Sequence, residues 1–258
     1  MSELDEAQAL IYGYLARSLQ KLADGADGDQ SLMTTIAYYY RLRGIAAYLR
    51  GMDEAAFVGD LYNAGRARLE YLRACVATAT DDGNYRTALR NLAYFDALAV
   101  HDLATATELA TACLGRWNAQ TQYEDDFLWM EFLQAALVAP DAEASLLDRY
   151  RDRIDGDNPF LDCCQSLHAR DGESFAAAVE QIARIRQANF ESKRDPPDLP
   201  VLILATEPYV DVQGLAVCRL AQLRGMAMPV GIPSLPESLL ELPKERCTYP
   251  VPQAWRTI

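Results

Sequence analysis

The chain has 258 residues, with 37 acidic against 24 basic side chains, a net charge of −13 and half of its residues hydrophobic; its mean hydropathy is −0.13. That length can bury an ample core, and the charge argues against nucleic acid or an anionic membrane as partner, since both demand a positive face. No apolar run reaches the roughly 20 residues of a membrane span, and the acidic start at Met1–Leu10 lacks the regions of a signal peptide, so a cytoplasmic protein is expected.

Helical periodicity dominates from the first residues. Segment 3–23 spaces Leu4, Ile11, Tyr14, Leu15, Leu19 and Leu22 at three- and four-residue intervals, and a polar turn at 24–31 ends it. Helices are predicted over 31–50 and 54–78, then an Asp81-Asp82-Gly83 turn, then 84–99 with Tyr85, Leu89, Leu92 and Phe95 on one stripe. A short Ala/Leu-rich helix over 103–114 follows. Segment 124–138 has a wide apolar face (Phe127, Leu128, Met130, Phe132, Leu133, Leu137) and is expected to be central. An amphipathic 142–153 runs into a breaker at 155–160, and 160–169 with 173–190 forms a further hairpin.

The character changes at Pro196-Pro197, where no helix can continue. Leu199–Thr206 reads as a short strand or the start of a buried helix. Val212–Arg224 reads as a helix capped by Gly225, and the Pro-rich tail reads as extended, with one short helix near Pro236–Leu240. No second core is evident. The expected fold is all-α, a single domain over 1–258: an irregular stack of antiparallel helical hairpins over 1–194, with a C-terminal helix and Pro-rich extended segment over 195–258 packed across it.

A phrase recurs through the body: Leu, three residues, Asp, three residues, a small or apolar residue. It occurs at Leu49/Asp53/Phe57, Leu98/Asp102/Ala106, Leu137/Asp141/Ser145 and Leu167/Asp171/Phe175. Each copy predicts a helix end, a turn, and a new helix with Asp as its N-cap. The spacings between the aspartates are unequal, which argues against a uniform solenoid such as a tetratricopeptide scaffold.

Chemistry finds little footing. Of two histidines, His168 lies four residues after Cys164, at metal-ligand spacing, but no further ligands stand at recognisable spacing, so no metal and no cofactor is expected. The six cysteines form no CxxC pair and read as reduced, mostly buried thiols. Nucleotide-binding, hydrolase-elbow and zinc-protease motifs are absent, and no catalytic residue is assigned. The acids Glu124, Asp125, Asp126 and Glu131 suit a helix N-terminus, although a carboxylate-dependent enzyme remains a rival reading. Aromatics beside acids also mark protein interfaces, and the residues expected to bind a partner are Tyr123, Glu124, Asp125, Asp126 and Trp129, with Tyr38 from the Tyr38–Tyr40 run.

The stretch Gly214–Glu241, with its Arg-Gly helix end and the phrase Leu235-Pro-Glu-Ser-Leu239-Leu240, resembles the ending of bacterial polymorphic-toxin immunity proteins of the immunity-protein-49 type. Tyr94–Ala110 resembles their helical body. The resemblance implies an all-helical cytoplasmic protein that neutralises a cognate toxin by stoichiometric, non-catalytic binding. Many such toxins are nucleases with basic clefts, which an acidic inhibitor would suit. A helical-repeat interaction scaffold is the alternative.

Overall fold

The computed structural model describes residues 2–26, 30–79, 86–113, 117–195, 198–243 and 256. Among these, twelve α-helices and two single 3-10 turns follow one another with no β-sheet. The helices are α1 (Glu3–Ala23), α2 (Gln30–Gly51), α3 (Glu54–Ala77), α4 (Leu92–Ala99), α5 (Leu103–Ala112) and α6 (Glu124–Val138). Then come α7 (Glu143–Arg151), α8 (Pro159–Ala169), α9 (Gly172–Glu191), α10 (Val201–Leu204), α11 (Val212–Leu223) and α12 (Glu237–Leu240). Helices α1 to α3 pack in succession, α6 to α9 form a second run of neighbours, and the short α4 and α5 lie between them. The chain then turns back: α10 packs on α1, and α11 lies along α4 and touches α6.

Three of the four Leu/Asp phrases fold as expected. Asp53 accepts a hydrogen bond from Ala56 N (2.9 Å), Asp102 from Thr105 N (3.2 Å) and Asp171 from Ser174 N (3.2 Å). The residue before each of these aspartates (Met52, His101, Arg170) is left-handed, with φ of 54°, 62° and 57°. In two of the three, the Asp N–H reaches back five residues to the outgoing helix, Asp102 N to Ala97 O and Asp171 N to Ser166 O. One left-handed residue thus closes the first helix and the next residue caps the second.

The fourth copy fails. Asp141 caps nothing; it sits inside a 3-10 turn at Pro140–Ala142, and α7 begins without a side-chain cap. The left-handed position here would fall on Pro140, whose ring holds φ near −65°. A helix cap of the same kind occurs where the phrase does not: Asp211 accepts from Gly214 N (3.1 Å) at the start of α11.

One further expectation is corrected and one open reading is resolved. The helix predicted over 84–99 is a 3-10 turn at Ala88–Arg90 and then α4, which begins only at Leu92. Asn91 separates them because its buried amide donates to Leu109 O (3.1 Å) and Gln134 Oε1 (2.8 Å), ties that a continuous helix surface would not offer. Leu92 consequently faces out, while Tyr94, Phe95 and Leu98 are buried; Tyr85 and the Asp81-Asp82-Gly83 turn lie outside the described residues. Leu199–Thr206, open between strand and helix, forms the single turn α10.

Buried polar groups tie distant helices together. Arg41 donates to Asp96 (2.6 Å) and to Leu92 O (2.7 Å), joining α2 to α4. Arg43 grips Asp60 with two bonds (2.9 and 2.5 Å), joining α2 to α3. Arg219 donates to Ala99 O, Leu239 O and Leu240 O. Arg224 donates to both oxygens of buried Glu143 and to Leu167 O and Ala136 O, and His168 Nδ1 meets the same carboxylate at 2.7 Å. The tail is further held by Asp211 N to Ser234 O and by Tyr48 against Ser238 (2.9 Å). Gly214 leaves room for it: a Cβ there would stand 2.8 Å from Leu235 and from the capping carboxylate of Asp211.

Two of the buried acids, Asp96 and Glu143, titrate in opposite senses. Burial raises Asp96 to about 6 against the pull of Arg41. Burial also acts to raise Glu143, but hydrogen bonds from Arg224 and His168 outweigh it and hold the group below the ordinary range.

Replacing the exposed left-handed residues by glycine, as Met52→Gly or Arg170→Gly, is expected to stabilise the fold by about 1 kcal/mol each in chemical denaturation. The pH dependence follows from linkage. Folded Asp96 holds its proton more tightly than unfolded Asp (3.8), so its contribution falls as pH rises from 3.8 to about 6. Glu143 contributes stability above its unfolded value of 4.5 and loses it on acidification. Urea midpoints measured from about pH 3 to 8 should therefore lose the first slope in Asp96→Asn and the second in Glu143→Gln.

Candidate functional site

The start of α6 presents the residues predicted to meet a partner. Tyr123, its N-cap residue, is 79% exposed. Asp125 and Asp126 follow on the outer surface, and the next residues, Phe127 to Met130, turn into the core. Partial burial and then the neighbouring Asp125 raise the Asp126 carboxyl above its usual range. The first helical turn collects acids because its unpaired N–H groups and dipole favour negative charge.

The six predicted residues separate into distinct environments. Glu124 is engaged inside the protein: Arg149 of α7 meets it at 2.7 Å and Arg153 at 2.9 Å. The turn carrying Arg153 also brings exposed Asp152, Asp155 and Asp157. The acidic character of this end is therefore carried by Asp125, Asp126 and that turn, with Glu124 neutralised between two arginines. Trp129 is buried and packs edge-on against Phe160, ring centroids 5.1 Å apart. Tyr38 is half-buried and hydrogen-bonds Glu207; burial and then this acid raise its phenol.

Tyr38 and the α6 start share one neighbourhood that sequence spacing does not reveal. A cleft of about 790 Å³ opens between α2, the α4 start and α10, and Thr121 and Gln122, just before Tyr123, line it together with Tyr38 and Tyr39. Arg41, Arg68 and Arg90 also line it, with Asp96 as acid. Sequence reasoning missed these arginines. Only Arg41 has a local signal, the alternation Tyr40-Arg41-Leu42-Arg43, where two cations interrupt an apolar helix face. Tyr40 itself is buried against Arg43, whose guanidinium lies 4.8 Å from the ring centre.

Metal and nucleophile chemistry find no assembled site among the described residues. No group of three or more His, Cys, Asp or Glu could hold a metal ion there. His168 spends Nδ1 on Glu143, and burial pushes the Cys164 thiol well above its usual value. Cys75, Cys113, Cys163, Cys164 and Cys218 are free thiols, and Cys247 lies outside the described residues. None of the helices described is long and apolar enough to cross a membrane.

The family model for Immunity protein 49 matches residues 59–239. The matched span runs from the first turns of α3 to α12, leaving α1 and α2 outside it. No curated protein and no solved structure matches the chain.

Proposed function

Because the chain belongs to the Immunity protein 49 family, we infer that it protects its cell by binding a cognate toxin in a stoichiometric, non-catalytic complex. Family membership over more than two thirds of the chain is the observation that carries this reading. The geometry supports it in kind: aromatic and acidic side chains project from a helix start, and the residues behind them are locked in the core. Such an arrangement presents an anchor and a charged rim without needing to reorganise on binding.

The proposed contact surface is Tyr123, Asp125 and Asp126 with the Asp152–Asp157 turn, and it extends toward the rim of the cleft at Tyr38. Glu124 contributes by holding Arg149 and Arg153 in place, and Trp129 by fixing the helix from inside. A net charge of −13 would steer a basic partner such as a nuclease toward this protein in the cytoplasm. Neutralisation would follow from occupancy, either over the toxin's active site or beside it.

The toxin is sought by gentle affinity purification of the tagged full chain from its own cells. The expected result is one polypeptide in stoichiometric amount that kills cells when expressed alone and is harmless when this chain is co-expressed. A spread of unrelated partners would favour the scaffold reading instead. With the toxin in hand, Asp125→Lys combined with Asp126→Lys is expected to slow association about tenfold at low salt, with the wild-type rate falling toward it as salt is raised. An unchanged association rate would remove these residues from the interface.

A further inference from the structure

A second cleft, of about 240 Å³, lies between α6, α8, α9 and α11. Its walls are apolar: Trp129, Phe160, Val179, Ile182, Val217 and Leu235. A cavity of about 150 Å³ with such walls is enough to hold benzene, so this one accommodates a single aromatic ring with a short substituent.

Two observations define the chemistry of the occupant. The first is hydrogen bonding. Trp129 is 6% exposed, and its buried indole N–H has no acceptor among the described residues. Arg186 Nε is likewise buried and makes no hydrogen bond among the described residues, although it is ion-paired with Asp211 at 3.6 Å. Both residues line the cleft, so two buried donors at its wall are left without a hydrogen bond. The second is charge. Arg186 and exposed Lys193 stand at this cleft with one acid, Asp211. That carboxylate is already committed: it caps α11 through Gly214 N and lies 3.6 Å from Arg186 Nε. Arg186 is held in position, stacked 4.9 Å over Phe190 and donating to Glu207 O. Lys193 makes no ion pair among the described residues. In a chain of net charge −13, this cleft is a place of local positive charge.

We propose that this cleft is a binding site for a small monocarboxylate whose apolar body is the size of one aromatic ring. The ring would lie among Trp129, Phe160 and Val217, and the carboxylate would face Lys193 and Arg186 at the mouth. Charge selects the small anion over a side chain of a basic partner, which these cations would repel. The test of this site does not involve a toxin.

The test is calorimetric titration of the full chain with 3-phenylpropionate and with its neutral counterpart 3-phenylpropionamide. The expected result is one-to-one binding of the carboxylate at about 1 mM or tighter, and binding of the amide about tenfold weaker. Lys193→Glu, on an exposed side chain, should weaken the carboxylate to a similar degree and leave the amide unchanged. Ala183→Phe, which fills the cleft from α9, should abolish both while the melting temperature holds. Absence of saturation by about 10 mM carboxylate, equal affinity for acid and amide, or undiminished binding to a folded Ala183→Phe protein would each overturn the proposal. If that variant does not fold, the response of Lys193→Glu decides.

Discussion

Helix ends facing the interior are the problem this fold has to solve, and arginine solves it. Every α-helix leaves its last carbonyls without partners, and an all-helical body of short segments buries many of them. Arg219 bonds the final carbonyl of α4 and the last two of α12. Arg224 reaches carbonyls in the last turns of α6 and α8. Arg86 and Arg194 do the same for the ends of α5 and α10. A planar fork with five donors can serve several such oxygens at once, and its charge matches the negative end of the dipole. A lysine ammonium in the same place would lack the reach and the geometry. The composition reflects this demand: 21 of the 24 basic residues are arginine.

That division of labour also shapes the outer surface. Arginines turned inward spend their charge on carbonyls and on Asp60, Asp96 and Glu143. The exposed acids at the α6 start and in the turn after α7 are then less screened than the overall composition suggests. The exposed acids of the first turn of α6 therefore remain available to a partner, so one set of side chains suits both the helix dipole and the proposed recognition.

What could be read in the sequence was what is local. Asp53, Asp102 and Asp171 announce their own helices because a cap depends on neighbours three residues away. Helix α6 was legible to the residue because its apolar face is wide and its N-terminal acids mark the start. Asp141 misled because the phrase does not include the backbone requirement on the residue before it, which Pro140 cannot meet. Asn91 misled because its role depends on Gln134 and Leu109, partners far along the chain. The same distance hid the cleft that joins Tyr38 to the α6 start, since Arg41, Arg90 and Thr121 converge only through the path of the chain.

The tail latch carries a consequence in time. Tyr48 meets Ser238 across 190 residues, and Arg219 reaches back 120 residues to Ala99. Hairpins such as α2 with α3 can form as soon as they leave the ribosome, since their contacts are near neighbours. The interior that those bonds seal cannot close until residues 238–240 have emerged. At synthesis rates of about 5–20 residues per second, the nascent chain spends about 5–20 seconds between the end of α6 and the latch residues. Under the proposed toxin-binding role, protection rests on molecules already finished, and standing abundance, rather than the speed of fresh expression, sets how much challenge a cell can absorb.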